Sequence, residues 1–283
     1  SFHRSPRTSA LLWMAGIPER VGYADGVGAF LYTRRVRRTS RCHEVLRNLE
    51  LVRDELSQET RLELDRFQKA GPIPVTERFS LRVPEVPSED VSVVVSSVME
   101  SEKPVVVVAP GSAWETKRWT SSGYRDVARE LVARGNRVVV VGSSADQEVC
   151  AEVCQDGGSE VINLCGRTTL FELLFVIGGA RAVVCNDSVA LHIASARQVP
   201  TVVIFCATSP LFGFGPWKNR AVVVEKGDLF CKPCRRHGSH RCPTGTSACM
   251  KGVSSEMVMR AFVSLGVDHI APRKTGSFQV VPS

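Results

Sequence analysis

Three short stretches contain residues suited to holding a phosphate, and each follows a run of β-branched residues. In "VAPGSAWETKRWT", residues 108–120, the valines stop, Ala109-Pro110-Gly111-Ser112 turns the chain, and Lys117, Arg118 and Trp119 arrive together. A lysine is a mobile point charge suited to phosphate, and a tryptophan anchors a loop by packing. In "AVVCNDSVALHIASA", Asn186-Asp187-Ser188 stand where a strand-like run gives way to a helical one, with Val189 next and His192 one turn further on. A helix amino end offers unpaired N–H groups and the positive end of its dipole, so it suits a diphosphate. The competing role for Asp187 or Ser188 is a plain N-cap. In "VVVVGSSADQE", Gly142, Ser143 and Ser144 follow a third run. Their spacing is not G-x-G-x-x-G, so a nicotinamide cofactor has little support.

A different chemistry is suggested by "CKPCRRHGSHRCPTGTSAC". Cys231, Cys234, Cys242 and Cys249 are four soft ligands in a loop with little apolar material to fold around, and thiolates at such spacing suit a tetrahedral structural zinc. The expected site is remote from the chemistry. The second pair is wider than CxxC, so His237 or His240 could replace one thiol; two disulfides or four uncoordinated thiols are the alternatives. The other cysteines, 42, 150, 154, 165, 185 and 206, lie in or beside apolar runs, where a free thiol behaves as a small hydrophobe. That usage points to a reducing, cytoplasmic compartment.

The elements that must position these residues are regular from residue 104 onward. Val105 to Ala109, Arg137 to Val141, Val161 to Leu164, Ala182 to Cys185 and Pro200 to Cys206 are short β-branched runs, each followed by a segment of helical period. Tyr124, Val127, Ala128 and Leu131 recur at three and four residues, and Thr169 can cap a helix holding Leu170, Leu173 and Leu174. Strands alternating with helices predict a doubly wound α/β domain with a parallel sheet covered on both faces. Ligands of such sheets bind beyond the carboxyl ends of the strands, where all three phosphate-suited stretches fall.

The first hundred residues are less regular. The pattern predicts a turn into a strand over 17–23, a helix over 43–52, a breaker at 71–74 and a strand over 79–83. "SEDVSVVVSSVME" has strand propensity, but Val91, Val94, Val95 and Val98 follow the helical spacing and Ser88 can cap, so a helix is expected, leading into a linker at 101–103. The expected organisation is a first domain over 1–100, a second over 101–272 and a polar tail over 273–283.

At 283 residues, 43% hydrophobic and 23% charged, the composition is that of a globular protein, and no apolar run approaches the length of a membrane span. Net charge is +7, with Arg34, Arg35, Arg37, Arg38 and Arg41 in the densest basic stretch. An anionic partner or simply a solvated basic face would account for it. Nucleic acid is disfavoured: there is no zinc-finger spacing, no RNA-recognition signature and no aromatic ladder among the basic residues.

Together, "PGSAWETKRWTSSGYRDVARELVARGNRVVVVGSSADQE", "INLCGRTTLFELLFVIGGARAVVCNDSVALHIASA" and "VPTVVIFCATSP", with the amino-terminal "SALLWMAGIPERVGY" and "LYTRRV", resemble the ADP-heptose heptosyltransferases of lipopolysaccharide synthesis. The resemblance covers nearly the whole chain and lies nearest the second heptosyltransferase. It implies a GT-B architecture of two Rossmann-like domains, the amino-terminal one incomplete here. The carboxyl-terminal domain would hold ADP-heptose through Ser112, Lys117, Trp119, Gly142, Ser143, Ser144, Asp187, Ser188, Val189 and His192. The amino-terminal domain would hold the acceptor, a Kdo-heptose core on lipid A, with peripheral contact at the cytoplasmic face of the inner membrane. Such enzymes invert the anomeric centre by direct displacement and require no metal cofactor for catalysis. A base deprotonates the acceptor hydroxyl, and Lys117 would stabilise the departing diphosphate.

Two departures qualify that expectation. The family opens with a strand and a Gly-Asp loop that supplies the presumed catalytic aspartate, and the sequence starts downstream of it, without an initiating methionine. It is therefore expected to be a fragment or trimmed product, inactive without the upstream segment. The family also has glycine after Asp-Ser, where Val189 stands here and could crowd the phosphates. The rival readings are a sugar-nucleotide-binding remnant without turnover, and transfer from another nucleotide sugar.

Overall fold

A computed structural model describes residues 1–39, 42–70 and 91–267. The expected breaker at 71–74, strand over 79–83, Ser88 cap and 273–283 tail lie outside these residues, as does Arg41. The chain divides into two compact units, Ser1–Pro74 with Leu211–Gly215, and Val75–Pro210 with Pro216–Ser283.

The first unit contains helix α1 (Pro6–Met14), strands β1 (Val21–Tyr23) and β2 (Arg34–Val36), and helices α2 (Glu44–Leu51) and α3 (Gln58–Ala70). The two strands are parallel, Val21 opposite Arg34. The expected helix over 43–52 forms with His43 as its N-cap, the ring nitrogen accepting from the Val45 amide at 3.2 Å. Part of the basic stretch has an internal use. Arg34 pairs with Asp54 at 2.6 Å, and Arg38 pairs with Glu44 at 3.3 Å while lying over the Tyr23 ring. Arg47 is 1% exposed and donates to the Thr39 carbonyl at 2.8 Å. Arg35 and Arg37 remain exposed.

Among the described residues, the first helix of the second unit is α4 (Val93–Met99). The unit continues through β3 (Val105–Ala109), α5 (Ser121–Ala133), β4 (Arg137–Val140), α6 (Gln147–Cys154), β5 (Val161–Asn163) and α7 (Leu170–Gly179). Then follow β6 (Ala182–Asn186), α8 (Val189–Ala196), β7 (Thr201–Phe205), β8 (Ala221–Glu225), α9 (Ala248–Lys251) and α10 (Ser255–Ser264). The sheet order is β5-β4-β3-β6-β7-β8, every pair parallel. All five strands expected in this unit form, within a residue or so of the expected ends. The sixth, β8, was not anticipated, because no α-helix lies between β7 and β8 and the strand–helix alternation fails there.

Alternate residues of each strand serve opposite faces, as a pleated strand requires. Val106, Val108, Val138, Val140 and Val184 join a core with Tyr124, Val127 and Leu131 of α5 and Phe262 of α10. Val105, Val107, Val139, Val183 and Val203 join a second core with Val95, Val176 and Leu191 from α4, α7 and α8. The near-continuous valine runs are thus the signature of a sheet buried on both sides.

The valine-rich segment is helical, but its boundaries and partner differ from expectation. Ser92 is the N-cap, so Val91 precedes the first turn, and the buried stripe is Val95, Val98 and Met99 while Val94 faces outward. This stripe buries in the same core as α7, and the Ser92 amide donates to Glu172 Oε1 at 3.1 Å. Residues 91–100 therefore group with the second unit rather than the first, and the expected break at 101–103 falls inside it.

Glu172 fastens this junction. Thr169 Oγ1 accepts from the Glu172 amide, while the Glu172 carboxylate accepts from the Thr169 amide at 2.7 Å and hydroxyl at 2.9 Å. Hydrogen bonds from Ser92 first, then from the Thr169 amide, hold its carboxyl at about 2 instead of the ordinary 4.5. A depressed folded-state pKa stabilises the fold above the unfolded value, and the gain vanishes as pH falls through the folded one. Glu172→Gln is expected to cost about 2 kcal/mol at pH 7. The difference in unfolding free energy between wild type and variant should shrink between pH 4.5 and about pH 2 in urea titrations at stepped pH.

Candidate functional site

In order of appearance the six strands of the second unit run 3-2-1-4-5-6 across the sheet, the order of a dinucleotide-binding domain. The strand order, not the strand direction, reverses between β3 and β6, which pair in parallel from Val106–Ala182 to Ala109–Cys185. The loops leaving these two strands lead to helices on opposite faces of the sheet, α5 and α8, the point at which such sheets bind their ligands. These loops are the Pro110–Thr120 loop and Asn186-Asp187-Ser188, two of the three stretches singled out from the sequence.

Asn186 holds the loops together. Its side-chain amide donates to the Pro110 carbonyl at 2.7 Å, and its side-chain oxygen accepts from the Trp119 amide at 2.9 Å. Between the two loops Lys117 Nζ lies 2.7 Å from Asp187 Oδ2. The same carboxylate oxygen accepts from Thr208 Oγ1 at 2.8 Å, and the Ser112 hydroxyl reaches the Asp187 carbonyl at 3.5 Å. The two side chains are 13% and 4% exposed. Asp187 is thus no cap of α8; it fixes the ammonium group. An ammonium has three protons, and the Asp187 carboxylate need occupy only one of them.

Ser188 is the N-cap of α8 by backbone position, with φ −147 and ψ −179, yet its hydroxyl makes no capping bond and is buried without a partner among the described residues. The helix amino end is therefore open to an outside acceptor. Val189 occupies the first helical position with its side chain 57% exposed, and it is not among the positive-φ residues. The helix start is regular, so valine needs no glycine-like conformation there. His192 lies on the first turn of α8, open to solvent on part of its surface and packed against protein on the rest. Desolvation chiefly, with Lys117 acting the same way and Asp187 opposing, holds its pKa below the ordinary histidine value, so the ring is neutral at pH 7.

Other expected contacts have roles inside the protein. Trp119 is not on the rim: its ring is 1% exposed, packs edge-on against Tyr124 and donates its indole N–H to the Val253 carbonyl at 3.0 Å. Ser143 is engaged by Asp146, whose carboxylate accepts from its amide at 2.9 Å and its hydroxyl at 2.6 Å. Gly142 is needed for packing, since a Cβ there would lie 3.0 Å from both Asp146 Cβ and Cys150 Sγ. Ser144 is exposed beyond the end of β4. Arg118 pairs with Asp146 at 3.3 Å and donates to the Ser112 carbonyl at 2.9 Å, so it braces the loop.

In the cysteine loop, Cys231, Cys242 and Cys249 lie within electrostatic reach of Cys234. All four thiols are free, and among the described residues no group of three or more His, Cys, Asp or Glu side chains is disposed to hold a metal ion. Cys249 is buried in the α5–α10 core, and the Cys242 sulfur accepts from the Ser247 amide at 3.4 Å. Nor is the loop remote. Ser239 bonds to Thr116, and the His240 ring lies 4.8 Å from that of Trp114.

Residues 4–243 match the family model described as glycosyltransferase family 9 (heptosyltransferase). The chain belongs to that family. It is 29% identical over 173 residues to lipooligosaccharide heptosyltransferase 2 of Campylobacter jejuni, covering 59% of this chain and 53% of that protein. It is 34% identical over 132 residues to lipopolysaccharide heptosyltransferase 2 of Salmonella typhimurium, covering 45% and 38%. The chain thus spans about half or less of the length of these relatives. The structure of Escherichia coli ADP-heptose LPS heptosyltransferase II superposes with TM-score 0.69 at 23% identity, covering 93% of this chain and 74% of that one. The fold is accordingly of the GT-B type.

The family stretches therefore converge at one place, through partners that sequence reasoning missed. Asn186 was named only as part of its stretch and Thr208 only through the "ATSP" turn, and neither was given a role, because only strand order brings the two loops together. Removing one member of a largely buried ion pair strands the other charge. Asp187→Ala should lower the unfolding free energy by about 3 kcal/mol, with Asp187→Asn losing less, as read by urea denaturation.

Proposed function

We propose that the second unit binds the diphosphate of a nucleotide sugar, ADP-heptose, and that the intact protein transfers heptose to the inner core of lipopolysaccharide. The observation that supports this most is the uncapped amino end of α8 beside a pre-positioned lysine, at the point where strand order reverses. Backbone N–H groups and the helix dipole favour a dianion there. The relatives supply the chemical class, and the acceptor assigned here is a Kdo-heptose core on lipid A, approached at the cytoplasmic face of the inner membrane.

In an inverting displacement, negative charge grows on the departing diphosphate as the acceptor oxygen attacks the anomeric carbon. Lys117 and the α8 amides lie where that charge would develop, and they need little reorganisation because Asp187, Thr208 and Asn186 already hold them. Neutral His192 can contact the ligand by a hydrogen bond without adding a charge. No described residue is assigned as the base that deprotonates the acceptor.

Titration calorimetry with ADP tests the reading. Lys117→Ala should weaken binding by about 1.5–3 kcal/mol, the loss of a charge-assisted contact, while exposed Lys251→Ala leaves it unchanged. Equal affinities for Lys117→Ala and wild type would remove Lys117 from the site.

A further inference from the structure

We infer that Thr116 is a positioning residue for the phosphate-binding lysine, and that the cysteine loop acts on the donor site through it. The inference rests on the donor-site reading above and adds to it an element of the chain that the reading does not use. Lys117 ends a single 3-10 turn, Glu115–Lys117. A turn that short has almost no stability of its own, so its place must be set by what it is tied to.

Thr116 supplies the ties, and it is 4% exposed although it lies in a loop. Its hydroxyl donates to the Ser239 carbonyl at 2.9 Å and accepts from the Ser239 amide at 2.8 Å. Its own amide donates to the same Ser239 carbonyl at 3.1 Å, and its carbonyl accepts from the Ala207 amide at 3.2 Å. The Ala207 carbonyl in turn accepts from the Cys234 amide at 2.9 Å. Thr116 therefore joins the exit of β3 to the exit of β7 and to Ser239 of the cysteine loop, and Ala207 adds a second tie to that loop at Cys234. The next residue after Ala207 is Thr208, whose hydroxyl holds Asp187, the partner of Lys117. The lysine is thus fixed at its ammonium through Asp187 and at its backbone through Thr116, and both fixings lead back to Ala207-Thr208.

The loop also touches the lysine directly. Gly238 has φ +81, which disfavours any side chain, and a Cβ on it would lie 3.0 Å from Trp114 Cβ and 3.1 Å from Lys117 Cγ. The loop backbone thus forms one wall of the channel in which the lysine stem runs. Through these contacts, whatever constrains the loop carrying Cys231, Cys234, Cys242 and Cys249 also constrains the lysine.

A double-mutant cycle read by ADP calorimetry separates a positioning role from a general structural one. Thr116→Val keeps the shape and deletes both hydroxyl bonds. It should weaken ADP binding about tenfold in the wild-type background and less than about twofold once Lys117→Met is present, because the effect passes through the lysine. Thr116→Ser, which retains the hydroxyl, should bind ADP like wild type. Gly238→Ala leaves Thr116 intact and crowds the same turn from the loop side. It should also weaken ADP binding, which covers the case in which Thr116→Val fails to fold. Equal losses from Thr116→Val with and without Lys117→Met would overturn the inference and leave Thr116 a structural residue. Wild type that does not bind ADP would instead remove the donor-site reading, and the inference with it.

Discussion

The site depends on one ion pair, Lys117 with Asp187, set where neither group is freely hydrated. Two such charges are stable together only when their geometry is held and their remaining hydrogen-bonding capacity is satisfied. The protein provides this from three strand ends: β3 carries the lysine loop, β6 ends at the aspartate, and β7 delivers Thr208 to the carboxylate. The strands can do so because the sheet is parallel and its order reverses between β3 and β6, which places all three exits on one edge. The valine runs, the two cores and the helix caps have the common consequence of making those exits rigid.

That rigidity has an electrostatic purpose. A free lysine on a surface loop would have to lose rotamer freedom when a phosphate arrives, and its field would be screened by water and salt. Held by Asp187, the ammonium keeps protons available for a ligand at little entropic cost. The open end of α8 complements it, since Ser188 leaves the helix amides unoccupied. An aspartate beside the proposed phosphate site looks unfavourable at first sight, but its charge is neutralised by the lysine it positions.

Much of this was legible in the sequence, because period and position carry the information. The valine runs fixed the strands, the three- and four-residue spacing of Tyr124, Val127 and Leu131 fixed α5, and Lys117 and Asp187 fell at strand ends. What could not be read was long-range. Trp119 was expected both to anchor its loop by packing and to contact the donor at the strand end; its ring does anchor the loop, against Tyr124 and the Val253 carbonyl, and so is buried away from the rim. Ser143 has the composition of a phosphate loop, but Asp146 three residues on satisfies it. The CxxC-containing loop carries the local signal of a metal site, and only the fold shows that the same loop is bonded to Thr116 through Ser239. The helix over Val93–Met99 was recovered against its propensity, yet its burial on the side of α7 depended on Glu172, eighty residues further on.

The central claim is that the amino end of α8 receives the diphosphate. It is tested most directly by the backbone amide resonances of Val189, Ala190 and Leu191 during titration with ADP. The account predicts that these three amides shift together and saturate with the binding isotherm, while those of α6, on the far side of the Ser143–Asp146 turn, stay in place. ADP binding that moves resonances elsewhere and leaves Val189 to Leu191 unchanged would contradict it.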